Sequence, residues 1–279
     1  QNQKDYLIFK MNTTQIYKIC DNLLGLSELQ DNSIDLTVTS PPYDNLRTYG
    51  GYSFNFETLT KELFRVTKDG GVIVWVVGDQ TKDGSETGTS FKQALYFKEV
   101  GFNLHDTMIW EKTGMLPTQD RYYAIFEYMF VLSKGKPKSM NFIADKENTA
   151  GGRIQKKDAV INKGQHKNGI GTFVRKQFGR RTNIWRIAIG ESNGHPAIFP
   201  EQLAKDHILS WSNEGDSVLD PFLGSGTTLK MCKETNRNGI GFELNPEYES
   251  IIRERLKFDD KSNSINIINK ENKKSLFEF

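Results

Sequence analysis

Asp220-Pro221-Phe222-Leu223-Gly224-Ser225-Gly226-Thr227-Thr228 joins a short apolar run to a helical one, and the fold class turns on it. Residues 218–220 are a short apolar run ending in an acid, and residues 227–235 have the composition of a helix, so the two glycines fall in a strand-to-helix connection. Gly224 and Gly226 remove side chains where backbone must approach a neighbour closely. The next expected strand, residues 239–244, carries Glu243 at its end, where a carboxylate can accept both hydrogens of a vicinal diol. A dinucleotide fingerprint would need glycine where Leu229 stands, and a phosphate-cradling P-loop would need lysine where Thr227 stands. A glycine-rich turn without a ligand stays open on these residues alone.

Outward from this loop, strands and helices alternate. Residues 15–20 read as a strand ending at Asp21, 23–29 as a short helix and 34–38 as a compact strand. A helix is expected over 58–66, a turn at Asp69-Gly70-Gly71, and a strand buried on both faces over 72–77. Residues 91–100 read as a helix stopped by Gly101, and 104–111 and 122–132 as strands, the second open to partial helix. Helices follow at 200–211 and 247–256. The alternation predicts an α/β fold with a mostly parallel sheet, which binds ligands beyond the carboxyl ends of its strands.

Thr39-Ser40-Pro41-Pro42-Tyr43 follows one of those strands. The prolines stop the ladder and present carbonyls with no competing N–H. Ser40 Oγ and a main-chain carbonyl can accept from an amino group, and Tyr43 offers a flat face for a base.

Apolar residues make up 37% of the 279 and charged residues 26%, which suits a soluble globular chain. No apolar run approaches the ~20 residues of a membrane span. Residues 1–10 lack the features of a signal peptide, the chain opens on Gln rather than Met, and Met11 reads as a candidate internal start. Cys20 and Cys232 are isolated, which fits neither a disulfide framework nor a metal site and suits a reducing cytoplasm. Net charge is +2, but from Ser133 to Arg186 fourteen Lys and Arg face three acids, a local excess of +11 that leaves −9 elsewhere. Such a block fits a polyanion partner; a solvated charged loop is the alternative. Residues 134–182 show little periodicity, and those after 258 read as a frayed tail.

Together, Ser40-Pro41-Pro42-Tyr43 and Asp220-Pro221-Phe222-x-Gly224-x-Gly226-Thr227 resemble the motifs of the DNA amino-methyltransferases, which act on cytosine N4 or adenine N6. The resemblance runs from about Ile16 to Leu256. The motif order, with the basic insertion between, resembles the β group, in which the fold is circularly permuted. It implies a Rossmann-like seven-stranded, mostly parallel sheet with one antiparallel strand. The expected parts are a catalytic segment over 11–133, a target-recognition insertion over 134–182, a cofactor-binding segment over 183–258 and a tail over 259–279. It implies S-adenosyl-L-methionine as cofactor, S-adenosyl-L-homocysteine as product and no metal. The implied partner is double-stranded DNA; relatives of this group are often homodimers, and a cognate restriction endonuclease stands open. A bacterial, archaeal or phage-encoded cytoplasmic protein is expected.

Site roles carry over by position. Phe222, Gly224 and Gly226 would line the methionine part of the cofactor, within a loop that also holds Asp220, Ser225 and Thr227. Glu243 would hold the ribose hydroxyls. Phe199 and Pro200, in His195-Pro196-Ala197-Ile198-Phe199-Pro200, resemble an additional cofactor motif. Asp21 resembles the acid near the adenine, although Cys20 stands where many relatives have glycine. Phe242 reads either as a cover for adenine or as plain core, and Asp79 either as a site acid or as a turn acid. Ser40, Pro41, Pro42 and Tyr43 would form the catalytic loop, and Arg153, Arg175, Lys176, Arg180 and Arg181 would meet DNA. Ser40 resembles the cytosine-N4 group, whereas Asp there is more typical of adenine-N6 enzymes. An adenine enzyme, a catalytically inactive nucleic-acid-binding module and an RNA or protein methyltransferase remain the alternatives.

Overall fold

The computed structural model describes residues 13–42, 54–114, 120–156, 159–162, 165–167, 172–189 and 199–257. They form two compact units, Gln1–Asn141 with Ile184–Phe279, and Phe142–Asn183.

In chain order, the first unit contains β1 (Gln15–Ile19), α1 (Asn22–Ser27), β2 (Ile34–Thr39), α2 (Phe56–Val66), β3 (Thr67–Val77), α3 (Thr89–Val100), β4 (Asn103–Lys112) and β5 (Phe126–Ser133). After the second unit come β6 (Ile184–Ile187), α4 (Glu201–Trp211), β7 (Ser217–Asp220), α5 (Thr227–Glu234), β8 (Asn238–Glu243) and α6 (Glu249–Leu256). These strands make one sheet in the order β1-β8-β7-β2-β3-β5-β4-β6. Only β5 runs against its neighbours, pairing antiparallel with both β3 and β4.

Side-chain alternation sorts the core into two layers. Ile73, Trp75 and Val77 pack with Leu26 of α1, Leu59 and Leu63 of α2, and Phe97 of α3. On the opposite face, Leu229 of α5 packs with Tyr17, Leu223, Ile252 and Leu256. Helix α2 illustrates the local cause. Asn55 Oδ1 caps it by accepting from Thr58 N at 3.0 Å. Leu59, Leu63 and Val66, spaced four and three apart, bury one face. Each such side chain contributes about 1.5–3 kcal/mol on burial. Arg65 ties α2 to the end of α1 by donating to the Leu26 and Leu29 carbonyls, both at 2.8 Å.

Two expectations are corrected, and a strand reading left open to partial helix is resolved as strand. Among the described residues the sheet has eight strands rather than seven. Ile184–Ile187 pairs parallel with β4 at the edge, with Trp185 opposite Trp110, whose indole donates to Ile187 O at 2.9 Å. The expected turn at Asp69-Gly70-Gly71 lies within β3, which starts at Thr67. There Gly70, at φ 81°, lets an irregular strand bond to residues 134–138 instead of reversing. Residues 126–133 are strand throughout, with no helix.

In the second unit the described residues form short antiparallel pairs. Lys146–Glu147 pairs with Phe178–Gly179, Ile154–Lys156 with Thr172–Val174, and Ala159–Asn162 with Gln165–Lys167. Segments of two to four residues are too short to show periodicity, so sequence reading left this stretch without elements. Residues 134–141 belong to the first unit: Lys134 Nζ donates to the Phe64 and Thr67 carbonyls, and Asn141 N to Ser210 O. The expected tail, 259–279, lies outside the described residues.

Candidate active site

Strands β1, β8, β7, β2 and β3 are mutually parallel neighbours, so their carboxyl ends share one edge of the sheet. From β7 the chain passes through α5 to β8 on one side, and from β2 through α2 to β3 on the other. The connections part between β7 and β2, which is the switch point where such sheets bind ligands. Ser40, Pro41 and Pro42 leave β2 on one side of that point, and residues 220–226 leave β7 on the other. Glu243 ends β8 and Asp21 follows β1 farther along the same edge. The two loops singled out in the sequence therefore leave the ends of neighbouring strands. Tyr43 lies outside the described residues.

Glu243 is 9% exposed and held by the backbone: Oε2 accepts from Gly224 N at 2.7 Å and Oε1 from Asn245 N at 2.8 Å. Each oxygen keeps a further lone pair, so the carboxylate can still accept two hydroxyls. Burial pushes its pKa up, against the lowering effect of those N–H groups. Asp21 is exposed and caps α1, accepting from Leu23 N at 2.9 Å. Gly224 and Gly226 have φ of 55° and 85°, which side-chain-bearing residues adopt only with strain. This donor set, an anchored diol acceptor beside a bare glycine loop, fits a nucleoside cofactor.

Phe222 is half-buried, its ring 4.8 Å from that of Phe54, edge to face. Ser225 is half-buried between the glycines, and the buried Thr227 hydroxyl accepts from Arg255 Nη1 at 2.8 Å. Pro200 is buried and caps α4, with Phe199 half-buried before it. The following residue, Glu201, pairs with Lys230 at 2.8 Å, which brings the start of α4 beside α5.

Asp220 differs from what its position in the loop suggested. Its carboxylate is turned into the protein, 4% exposed, and accepts from Thr39 Oγ1 at 2.7 Å, Thr228 Oγ1 at 2.6 Å and Phe222 N at 3.1 Å. Burial raises its pKa. Phe242 is core, its ring against Gly25 of α1, where a Cβ would come within 2.4 Å. Asp79 accepts from Ser90 N at 2.9 Å and so caps α3, whose own N-cap Gly88 has no side chain to do it. Thr39, Thr228 and Arg255 were missed in the sequence. Thr39 lay inside the quoted motif, but its side-chain partner stands 181 positions away.

In the second unit Arg153, Arg175, Lys176 and Arg180 are exposed. Arg175 N donates to Arg153 O at 3.0 Å and Gly152 N to Arg175 O at 2.9 Å, so two residues face one in a bulge at Gly152, φ 75°. The Arg180 guanidinium lies 4.2 Å from the Phe142 ring centroid. Arg181 Nε donates to Asp145 Oδ2 at 2.8 Å, and this bond lowers the Asp145 pKa. Among the described residues no group of His, Cys, Asp and Glu could hold a metal, and no helix is long and apolar enough to cross a membrane.

A Rossmann-like sheet carrying a glycine loop and a Ser-Pro-Pro loop at its switch point has the frame of a methyltransferase. The DNA methylase family (N6_N4_Mtase) matches residues 34–254. An orphan methyltransferase of Bacillus amyloliquefaciens, M.BamHII, is 58% identical over 243 residues, 81% of this chain and 90% of that one. Among solved structures, the PvuII DNA methyltransferase (cytosine-N4-specific) superposes with a TM-score of 0.65 at 24% identity, covering 90% of this chain and 89% of that one. The M1.HpyAVI–SAM complex does so with a TM-score of 0.58 at 22% identity, covering 87% and 100%. Both share the mixed α/β fold. The chain belongs to the DNA methylase family and is a DNA methyltransferase of the N4/N6 type.

Proposed function

We propose that this DNA methyltransferase transfers a methyl group from S-adenosyl-L-methionine to the exocyclic N4 amino group of cytosine in double-stranded DNA. The observation that carries the reading is the placement of Ser40-Pro41-Pro42 and the glycine loop on the two sides of one switch point. When bound, the cofactor supplies an electrophilic methyl on a sulfonium and leaves as S-adenosyl-L-homocysteine. Glu243 would hold its ribose hydroxyls, Asp21 would stand toward its adenine end, and Phe222 with Gly224 to Thr227 would lie along its amino-acid end. Phe199 and Pro200 would close the same side.

The chain's part is to present a nucleophilic nitrogen. An amino group on a pyrimidine ring has its lone pair delocalised. Hydrogen bonds accepted by Ser40 Oγ and the Pro41 carbonyl would pull that nitrogen toward sp³ geometry and aim the lone pair at the methyl. Pro42 keeps the loop stiff. After methylation the nitrogen is strongly acidic and releases a proton to solvent, so a neutral Ser40 suffices. The base must leave the helix stack, at about a few kcal/mol, and Tyr43 is the proposed face against which it stacks. Ser40, rather than a carboxylate, favours cytosine over adenine.

The second unit, Phe142–Asn183, carries ten Lys and Arg against three acids. Arg153 and Arg175, joined by a backbone hydrogen bond, lie just beyond the Ile154–Lys156 and Thr172–Val174 pair, and a two-stranded ribbon of this kind fits a major groove. Arg153, Arg175 and Lys176 are the proposed DNA contacts. The ring under Arg180 and the carboxylate beside Arg181 suit partly structural tasks. The motif order is that of a circularly permuted chain.

Single-molecule sequencing of DNA from cells expressing the protein tests the reading. N4-methylcytosine within one recurring site is expected. N6-methyladenine would replace cytosine by adenine as target, and unmodified DNA would favour an inactive binding module.

A further inference from the structure

Asp220 is a buried carboxylate whose charge is met by hydrogen bonds; among the described residues no cation is paired with it. Burying such a charge is costly unless every acceptor site is used. Its three donors are distributed with a purpose. Thr39 immediately precedes Ser40, Phe222 opens the glycine loop, and Thr228 sits in the first turn of α5. Backbone register between β2 and β7 is formed only at Leu36–Val218 and Thr37–Leu219. Beyond that, where the strands release their two loops, the Thr39–Asp220 bond continues the connection.

We infer that Thr39 and Asp220 form a positioning pair that fixes the Ser40 loop relative to the glycine loop, and so sets the gap across which the methyl group moves. The inference rests on the methyl-transfer reading above. Neither residue touches cofactor or base; both act through their neighbours. Losing the bond would leave each half-site able to bind and would misplace one against the other.

The test uses the full-length enzyme with a duplex substrate. Thr39→Val removes the donor and keeps the shape. Its kcat is expected to fall by about tenfold or more, since an ångström-scale misplacement can cost ~100-fold. Affinity for S-adenosyl-L-methionine and KM for DNA should stay within about twofold. Thr39→Ser, which restores the hydroxyl, should recover most of the rate. Thr60→Val, which deletes an equally buried hydroxyl bonded to Phe56 O in α2, controls for lost stability and should keep the wild-type kcat. A Thr39→Val rate equal to wild type, or a loss matched by Thr60→Val, would overturn the inference. Should Thr39→Val not fold, Asp220→Asn carries the test, because it keeps an acceptor for Thr39 and Phe222 and removes the charge. A kcat within about threefold, with Asp220→Ala, which removes the acceptor, lower by about tenfold or more, supports positioning, and equal rates in the two variants would overturn it. A ~100-fold loss at unchanged Tm would assign the charge itself to catalysis and overturn the pair's role. A wild-type protein that binds the cofactor but methylates no duplex would instead remove the methyl-transfer reading, and the inference with it.

Discussion

Glu243 Oε2 accepts the Gly224 N–H at 2.7 Å, so the acid that ends β8 is fastened to the loop that follows β7. A single side chain thus orients the glycine loop and faces the proposed ribose site. Glu243→Ala should lose both tasks. Charge-assisted hydrogen bonds contribute about 1.5–3 kcal/mol each, which predicts a cofactor affinity lower by at least about tenfold. Calorimetry with S-adenosyl-L-methionine measures it; unchanged affinity would remove Glu243 from the cofactor site.

The Glu243 carboxyl also gives a pH signature. Burial raises its pKa, so it takes up a proton nearer neutrality than an ordinary glutamate. A protonated carboxyl loses acceptor capacity, and cofactor affinity should therefore fall as pH drops through that raised pKa. Glu243→Gln should show weaker binding that hardly varies over the same range.

Asp220 extends this logic to stability. Its folded pKa is raised by burial, so the folded state holds the proton more tightly than the unfolded chain does. The resulting stabilisation is full below the unfolded pKa and is lost as pH rises through the folded one. Asp220→Asn, which never pays for ionisation, should therefore have a Tm at or above wild type near pH 8. The difference should shrink toward acid pH. A variant markedly less stable at pH 8 would contradict the sign.

The strand-to-helix placement of the glycine loop was legible because its reasons are local. A glycine pair after an acid-ended strand, with Glu243 closing the next strand, reads directly from spacing. The Thr39–Asp220 bond was not legible, because a hydroxyl in Thr-Ser-Pro-Pro gives no hint of a partner 181 positions on. The start of β3 was misread because Gly70-Gly71 has the composition of a turn, while the chain uses Gly70 to continue an irregular strand. The eighth strand was missed because four residues with Trp185 inward resemble any loop end until β4 is in place beside them.

Glycine conformation gives a further check. Gly226 sits at φ 85° as the N-cap of α5, with Ile252 Cγ2 3.5 Å from the position of an added Cβ. Gly226→Ala meets open enough space but the wrong backbone region, at about 1–2 kcal/mol. Thermal melting should show a Tm lowered by several degrees, about 2–4 °C per kcal/mol for a chain of this size. An unchanged Tm would mean that the loop adopts another conformation.

For DNA, Arg153→Ala with Arg175→Ala should weaken duplex binding and reduce the slope of log affinity against log salt by roughly two. Cofactor affinity should stay as in wild type. Binding titrations at several salt concentrations read both quantities, and an unaltered slope would exclude phosphate contacts for this pair.

Purified protein incubated with S-adenosyl-L-methionine and plasmid DNA, followed by digestion to nucleosides and mass spectrometry, bears most directly on the whole account. N4-methyl-2′-deoxycytidine is the expected product, formed by wild type and reduced by about 100-fold in Ser40→Ala. Methyl on a ring carbon, or an undiminished yield from Ser40→Ala, would contradict the assignment of an amino nitrogen held by the Ser-Pro-Pro loop.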